Sequence, residues 1–376
     1  MAYSSTIPTL PLDLLEEILY RTPAESLVRA KWTCKEWNGL INKKRFIYEH
    51  LRRSPERFLR VDQTVQVLDL VNRTRSDSPI PDELQPSLSN IIAMVHCDGL
   101  MLCIWSDKEC YMFHNLALWN PLTRHFNVVE PRLSRESQRF LINDHFGIGY
   151  DVNKPRGDYK ILMFSASHYG QAVVEIYECM SKSWRTLDDS KVNWEVYTSR
   201  QSASRNGVSV MGNMYWLVKK KTRNYILCFD FSVETFKEIC FFRDLPYDNN
   251  YLGCFEGDKL SLLQQNEDQP SPIEVWVSSK LADGNVSFTR YFSVASPDLP
   301  ALRFFTYWGY PAHCIIAKHK RIVTWYDRVS VGLILCEIDE GGVSNQFVTP
   351  QHYWDDCVIG TFFCGYVYKP SLVPLP

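Results

Sequence analysis

The sequence predicts a mainly β protein, a small N-terminal helical module followed by a large β domain of about six repeated four-stranded units. Three observations carry this. Aromatic residues reach 14%, with 11 Trp, 20 Tyr and 20 Phe, and such side chains pack well on pleated surfaces. Helix punctuation is confined to residues 10 to 53. Farther on, short apolar strands alternate with turn residues, and aromatic anchors recur at a spacing near 50 residues.

The helical module divides into short segments. Pro11 precedes Asp13, Glu16 and Glu17, and negative charge in a first turn complements the helix dipole. Leu14, Leu15, Ile18 and Leu19 give that helix one apolar face. Thr22-Pro23-Ala24-Glu25 and Thr33-Cys34-Lys35-Glu36 read as two capping boxes, starting a second and a third helix. A fourth helix runs from about Lys43 to Arg53, presents Phe46, Ile47, His50 and Leu51, and stops at Ser54-Pro55. So few residues cannot enclose all of Leu10, Leu12, Leu14, Ile18, Leu27, Trp32 and Trp37. The surplus faces a partner or docks on the rest of the chain.

The β domain is read from its repeats. Trp119 and Phe126, Tyr177 and Trp184, and Phe229 and Phe236 are three aromatic pairs, each seven residues apart across a turn-rich segment. Each predicts one hairpin. Trp276, followed by Asp283-Gly284-Asn285 and Phe288, and Trp325 continue the series, with successive anchors 58, 52, 47 and 49 residues apart. Asp98-Gly99, Gly212-Asn213 and Gly257-Asp258 each place a tight-turn signal before an apolar strand. Four strands per unit at a period near 50 residues is the signature of a propeller blade, against a β-sandwich in which the spacing is chance. The chain has one Gly-Gly pair, Gly341-Gly342, so the expectation is a degenerate kelch-like β-propeller of about six blades. The predicted domains are 5–55 helical, 72–90 a linker or long loop, and 91–370 the propeller.

Composition narrows the function. With 45% apolar and 22% charged residues the chain is globular. No apolar run approaches the ~18 residues of a membrane span, and Asp13, Glu16 and Glu17 interrupt any signal peptide. The expected location is nucleus, cytoplasm or both, with no membrane partner. Twelve cysteines without a C-x-x-C pair read as small buried apolar side chains in a reducing compartment. The net charge of −2 is uneven, because Arg29 to Arg60 holds ten basic against three acidic residues. Such a patch suits nucleic acid or an acidic protein, and charge alone does not choose. A DNA-reading helix is disfavoured because Trp37 and apolar residues occupy the face that would need polar side chains.

Catalytic chemistry finds little support. His96, Cys97, Cys103, Cys110 and His114 crowd together, yet their gaps do not match zinc-knuckle spacing, and Cys103 and Cys110 fit a hairpin equally well. Gly147-Ile148-Gly149 lacks a third glycine and a following helix, so it reads as a β turn or bulge, not a dinucleotide loop. No nucleophile elbow, Walker loop or H-E-x-x-H occurs. No catalytic residue, metal ligand or cofactor is expected. The rival reading is a propeller enzyme or small-ligand-binding protein with its site at the central channel.

Leu10-Pro11-Leu12-Asp13-Leu14-Leu15-Glu16-Glu17-Ile18-Leu19, with Pro23, Leu27 and Cys34-Lys35-Glu36-Trp37-Asn38-Gly39-Leu40-Ile41, resembles an F-box. The resemblance implies docking on a Skp-type adaptor, and through it on cullin and RING subunits, by Leu10, Pro11, Leu14, Ile18, Leu19, Pro23, Leu27 and Trp37. The family usually has an apolar residue where Thr22 stands and Val where Thr33 stands. His96-Cys97-Asp98-Gly99-Leu100, Leu118-Trp119-Asn120-Pro121, Phe146-Gly147-Ile148-Gly149-Tyr150-Asp151, Ser183-Trp184-Arg185 and Phe229-Asp230-Phe231 resemble, in order, the landmarks of the plant F-box-associated domain. That domain is similar to kelch-type propellers and recruits a protein for ubiquitination. The implied function is the substrate-recognition subunit of an SCF-type E3 ubiquitin ligase, with an unidentified protein substrate and no nucleic acid partner.

Overall fold

The computed structural model describes residues 10–61, 65–69, 74–78, 80–84, 91–106, 113–131, 140–141, 144–165, 173–187, 195–196, 207–220, 223–242, 249–266, 271–304, 312–328, 332–348 and 364–376. Four helices open the chain: α1 (Leu12–Arg21), α2 (Ala24–Ala30), α3 (Lys35–Ile41) and α4 (Lys44–Arg53). Their ends fall where the sequence places them, but the capping boxes do not form. The Thr22 hydroxyl donates to the Ile18 carbonyl at 2.8 Å and the Thr33 hydroxyl to the Ala30 carbonyl at 2.7 Å. Each threonine closes the preceding helix, whose last carbonyls lack intrahelical donors. Pro23 and Cys34 are the N-caps, and the Cys34 sulfur accepts the Trp37 N–H at 3.4 Å. Glu25 is thereby free to bind Arg57, at 2.5 Å.

Strands follow as β1 (Arg57–Val61), β2 (Val65–Asp69) and β3 (Thr74–Ser78), then a first full blade of β4 (Ile91–Cys97), β5 (Leu100–Ser106), β6 (Phe113–Asn120) and β7 (His125–Val129). A short β8 (Phe140–Leu141) pairs with β6. The second blade is β9 (Asp144–Tyr150), β10 (Tyr159–Ser165), β11 (Val173–Glu178) and β12 (Ser183–Thr186). In the third, β13 (Glu195–Val196) and β14 (Val208–Val210) both pair with β15 (Asn213–Lys220), followed by β16 (Arg223–Asp230) and β17 (Thr235–Phe242). The fourth is β18 (Asn250–Phe255), β19 (Lys259–Gln264), β20 (Ile273–Ser278) and β21 (Phe288–Val294). The fifth is β22 (His313–Ala317), β23 (Arg321–Arg328), β24 (Gly332–Asp339) and β25 (Gly342–Val348). The last strand, β26 (Cys364–Tyr368), returns to pair with β1, so the sixth sheet runs β26-β1-β2-β3. The fold is a six-bladed β-propeller behind four helices.

This closure moves the predicted boundary. The propeller begins at Arg57 and not at residue 91, because the ring is sealed by pairing the two ends of the β domain, Arg57↔Tyr368 through Val61↔Cys364. The segment expected as a linker over 72–90 contains β3, whose Thr-Arg-Ser-Asp-Ser sequence lies on the outer edge of that sheet. An edge strand needs no apolar alternation, so it reads as a loop.

The aromatic hairpins form as expected. Trp119↔Phe126, Tyr177↔Trp184 and Phe229↔Phe236 are directly opposed cross-strand pairs. Each joins the third and fourth strands of a blade through a four-residue turn ending in a left-handed residue, Arg124, Lys182 or Glu234. Trp276 occupies the third strand of its blade, but Trp325 lies in β23, a second strand. The 49-residue step therefore joins non-equivalent positions. In that blade the third and fourth strands meet at Glu340-Gly341, flanked by Ile338↔Val343 with no aromatic pair. Gly147 and Gly149 are not a bulge either: β9 pairs β10 without interruption. A Cβ on Gly149 would stand 2.2 Å from the Gly212 carbonyl oxygen of the next blade. The turn of the hairpin expected around Cys103 and Cys110 falls on residues 107–112, outside the described residues.

Antiparallel blades put two kinds of connection at opposite ends. At one end lie the links from first to second strand and from third to fourth, including Asp98-Gly99, 121–124, 179–182, Met211-Gly212, 231–234 and 256–258. The F-box-like helices enter β1 from that end, and the C-terminal tail leaves β26 there. The tail is clamped: Asn120 Nδ2 donates to the carbonyls of Ser371 (3.1 Å) and Val373 (2.7 Å). Gly99, at φ +79°, lies so close beneath it that a Cβ would meet the Lys369 carbonyl oxygen at 2.3 Å. Leu19, Leu27, Ile41, Phe46 and Leu51 of the helices share one hydrophobic cluster with the first three blades and with Leu372 and Val373. The helices are thus built onto the propeller. At the opposite end β8 and β13 pair onto β6 and β15, and the strands there are joined through 130–143, 187–207, 295–312 and 349–363.

Candidate functional site

Two features stand out, an apolar edge on the helices and a cavity where they meet the propeller. The edge is built by α1. Its helical period divides the face, so that Leu19 is 2% exposed while Leu14 and Ile18 are 54% and 52% exposed. Leu10 and Leu12 at the helix entry are also exposed, as are Pro11 and Pro23. Leu27 is fully buried beneath them and Trp37 is half-buried against the shared core. The eight residues singled out from sequence therefore split into an exposed set, Leu10, Pro11, Leu14, Ile18 and Pro23, and a supporting set, Leu19, Leu27 and Trp37. Trp32, at 88% exposure, is a further large apolar side chain on this module.

Charge pairs brace the helices. Glu17 binds Arg21 (2.8 Å) and Arg53 (2.9 Å), and Glu49 binds Arg52 (2.7 Å) and Arg53 (2.8 Å). Hydrogen bonds from Arg52 and Arg53 draw the Glu49 carboxyl down to about 2. Buried His50, its ring Nε2 donating to the Thr22 carbonyl at 2.8 Å, ties α4 to the end of α1. Burial lowers its pKa.

The second feature is a cavity of about 850 Å³ between α4 and the channel mouth of the propeller. Its helical wall includes Arg45, Tyr48 and Glu49, and its propeller wall includes Glu56, His96, Asp98, Tyr150, Arg156 and Lys369. Arg156 bridges the modules, its guanidinium 5.1 Å from the Tyr48 ring and 5.2 Å from the Tyr150 ring. Asp98 accepts the Tyr159 hydroxyl at 2.9 Å, and burial raises its pKa against the opposing pull of Arg156. Burial also raises the carboxyl of Glu56 and pushes His96 down to about 4. Among the described residues no group of three His, Cys, Asp or Glu side chains has metal-binding geometry. Sequence reading singled out the Asp98-Gly99, Gly212 and Gly257 turns as strand punctuation but missed the cavity they rim. Glu56 and Lys369 flank β1 and β26, more than 300 residues apart, and no local motif joins them.

Comparison with known proteins agrees with this architecture. The F-box domain profile matches residues 7–49, and the profile of the F-box associated beta propeller domain matches residues 54–375. The F-box protein At3g08750 of Arabidopsis thaliana is 45% identical, with 98% of each chain aligned. The F-box/WD-40 repeat-containing protein 1 of Arabidopsis thaliana is 37% identical over 98% of this chain and 89% of its own. Among solved structures, TolB from Acinetobacter baumannii aligns with a TM-score of 0.39 at 12% identity, covering 79% of this chain and 65% of that one, too distant to bear on the fold. Four helices carrying an exposed apolar edge, a propeller sealed by its own two ends, the two matching domain profiles and F-box relatives aligned over nearly the whole chain lead to one conclusion: the chain belongs to the F-box proteins that carry an F-box-associated β-propeller domain.

Proposed function

We propose that this protein is the substrate receptor of an SCF-type ubiquitin ligase, acting in the nucleus, the cytoplasm or both. An F-box implies a Skp-type adaptor, and the observation that carries the proposal is the exposed edge of Leu10, Pro11, Leu14, Ile18 and Pro23. That edge remains open although the same helices bury Phe46, Ile47 and Leu51 in the core shared with the propeller. Leu19, Leu27 and Trp37 set the edge's shape from below. The receptor contributes no catalytic residue; it raises the local concentration of target lysines near the ubiquitin-charged enzyme.

The target-binding face is the end of the propeller away from the helices, because the F-box covers the short-turn end and the longest connections join strands at the other. Loops held by a rigid scaffold suit recognition. Adaptor binding is tested by calorimetry on the full chain: Leu14→Ala with Ile18→Ala weakens it by about a hundredfold, with the circular dichroism spectrum unchanged. Unaltered affinity overturns the reading. Replacing segment 187–207 with a Gly-Ser linker of equal length abolishes target capture and leaves adaptor affinity intact.

A further inference from the structure

The cavity between α4 and the channel mouth has a role that adaptor and target binding leave unassigned. Its volume of about 850 Å³ suits a small ligand, and its walls come from both modules. Most of its charges are already satisfied: Glu49 by Arg52 and Arg53, Glu256 by Lys259 at 2.8 Å, and Asp98 by the Tyr159 hydroxyl. Arg45 and Arg156 also lack a hydrogen bond or ion pair among the described residues, but both are exposed and Arg156 lies over the Tyr48 and Tyr150 rings, whereas Glu56 and Lys369 are half-buried. Each of these two lines the cavity, the charge of Lys369 acts on the Glu56 carboxyl, and neither makes a hydrogen bond or ion pair among the described residues. Beside them His96 holds a buried ring nitrogen, Nδ1, without a partner.

A half-buried carboxylate and a half-buried ammonium, both lining one cavity and neither holding a hydrogen-bonded partner among the described residues, are each open to a ligand of opposite charge. A ligand with one charge would satisfy one and repel the other. A ligand bearing both an amine and a carboxylate satisfies the two together. The whole lining points the same way, since five acidic side chains balance five basic ones, so the cavity carries no net charge to favour a purely anionic or purely cationic guest. Half-buried Tyr48 supplies ring surface for the side chain of the guest. We propose that the cavity binds a small zwitterion, of amino-acid to dipeptide size, with its amine on Glu56, its carboxylate on Lys369 and its body between the F-box and the propeller.

The site is tested on the full chain with the free protein amino acids and the glycyl dipeptides made from them, screened one at a time at millimolar concentration by thermal unfolding. At least one raises the melting temperature, since a ligand that binds only the folded state stabilises it. Calorimetry with that compound then gives binding at least tenfold weaker for its N-acetylated form, for its amidated form, and for the Glu56→Gln and Lys369→Met variants. Glu56→Gln keeps the side-chain shape, so it decides the matter even where Lys369→Met does not fold. No shift with any probe, equal binding of the acetylated form, or unchanged binding to Glu56→Gln each overturns the proposal. Adaptor binding is a separate measurement, and its failure leaves this one standing.

Discussion

The helices and the propeller put their large apolar side chains in opposite places. In the blades Trp119, Trp216 and Trp325 are each 1% exposed or less, while on the helical module Leu10, Leu14, Ile18 and Trp32 are each more than half exposed. The difference is one of layering. The inner strands of a blade are covered on both faces by its neighbours, so an aromatic there has nowhere to go but the core, while Phe347 on outermost β25 is 39% exposed. A short helix laid on the propeller has one covered face, and its periodicity sends Leu19 inward and Ile18 outward one residue apart. Apolar content thus fills the core from both regions, but only the helices leave an apolar edge of Leu10, Leu14 and Ile18 open, among the described residues.

The largest effect that would sharpen this contrast comes from the closing blades. Trp325 packs against Phe58 of β1, ring centroids 6.4 Å apart, joining the fifth blade to the strand that seals the ring. Trp325→Ala removes that fill and costs about 3–5 kcal/mol, read from urea unfolding of the full chain. Leu19→Ala, at the inward position of α1, costs about 2–5 kcal/mol. A cost below about 1 kcal/mol for Trp325→Ala, at the level of a surface change, would break the link between burial and stability in the blades.

Acid sharpens the comparison next. His313 begins the inner strand of the fifth blade, 7% exposed, facing the rings of Tyr251 and Tyr366. Burial lowers its pKa from 6.5 to about 4, so between those values the unfolded chain binds a proton that the folded chain refuses. Stability therefore falls as pH drops from 6.5 to about 4. His313→Phe flattens part of that acid limb in melting temperatures taken from pH 7 to pH 4. His50 in the helices shifts in the same direction, but its hydrogen bond to the Thr22 carbonyl opposes the burial effect. His50→Gln flattens the limb less.

A smaller effect concerns the seam between the regions. Asn120 is fully buried, caps its turn by accepting the N–H groups of Leu122 (3.0 Å) and Thr123 (3.2 Å), and holds two carbonyls of the tail. Asn120→Ala strands those groups at about 1–3 kcal/mol. The buried Val373 amide then exchanges its hydrogen faster. Unchanged protection there would show that the tail is held by Leu372 and Val373 packing alone.

Much of the architecture was legible in the sequence because it is set locally. Seven residues across a four-residue turn must place Trp119 opposite Phe126, and the same arithmetic fixes Tyr177 with Trp184 and Phe229 with Phe236. What was misread depends on distant partners. Trp325 carried the right residue type on the wrong strand because its blade closes through a tight turn flanked by aliphatic residues. The sealing of β26 on β1 leaves no local trace, and polar β3 looks like linker. Thr22 and Thr33 matched a capping pattern, yet the nearer carbonyls of the preceding helices took their hydroxyls. The apolar edge was visible as a surplus of leucines. The cavity was not, since its walls converge from α1, α4, the first four blades and the residues flanking β1 and β26.

The smallest stability effect is the most telling for the contrast between regions. Ile18, 52% exposed, contributes little to the fold, so Ile18→Ser costs no more than about 0.5 kcal/mol in the same urea titration that registers Leu19→Ala several times more strongly. Adjacent residues of one helix then separate stability from contact, and adaptor affinity falls with the residue whose loss the fold hardly notices. If Ile18→Ser instead destabilises the chain as much as Leu19→Ala, the edge belongs to the internal packing of the protein and the surface offered to the adaptor has to be sought around Leu10, Leu12 and Trp32.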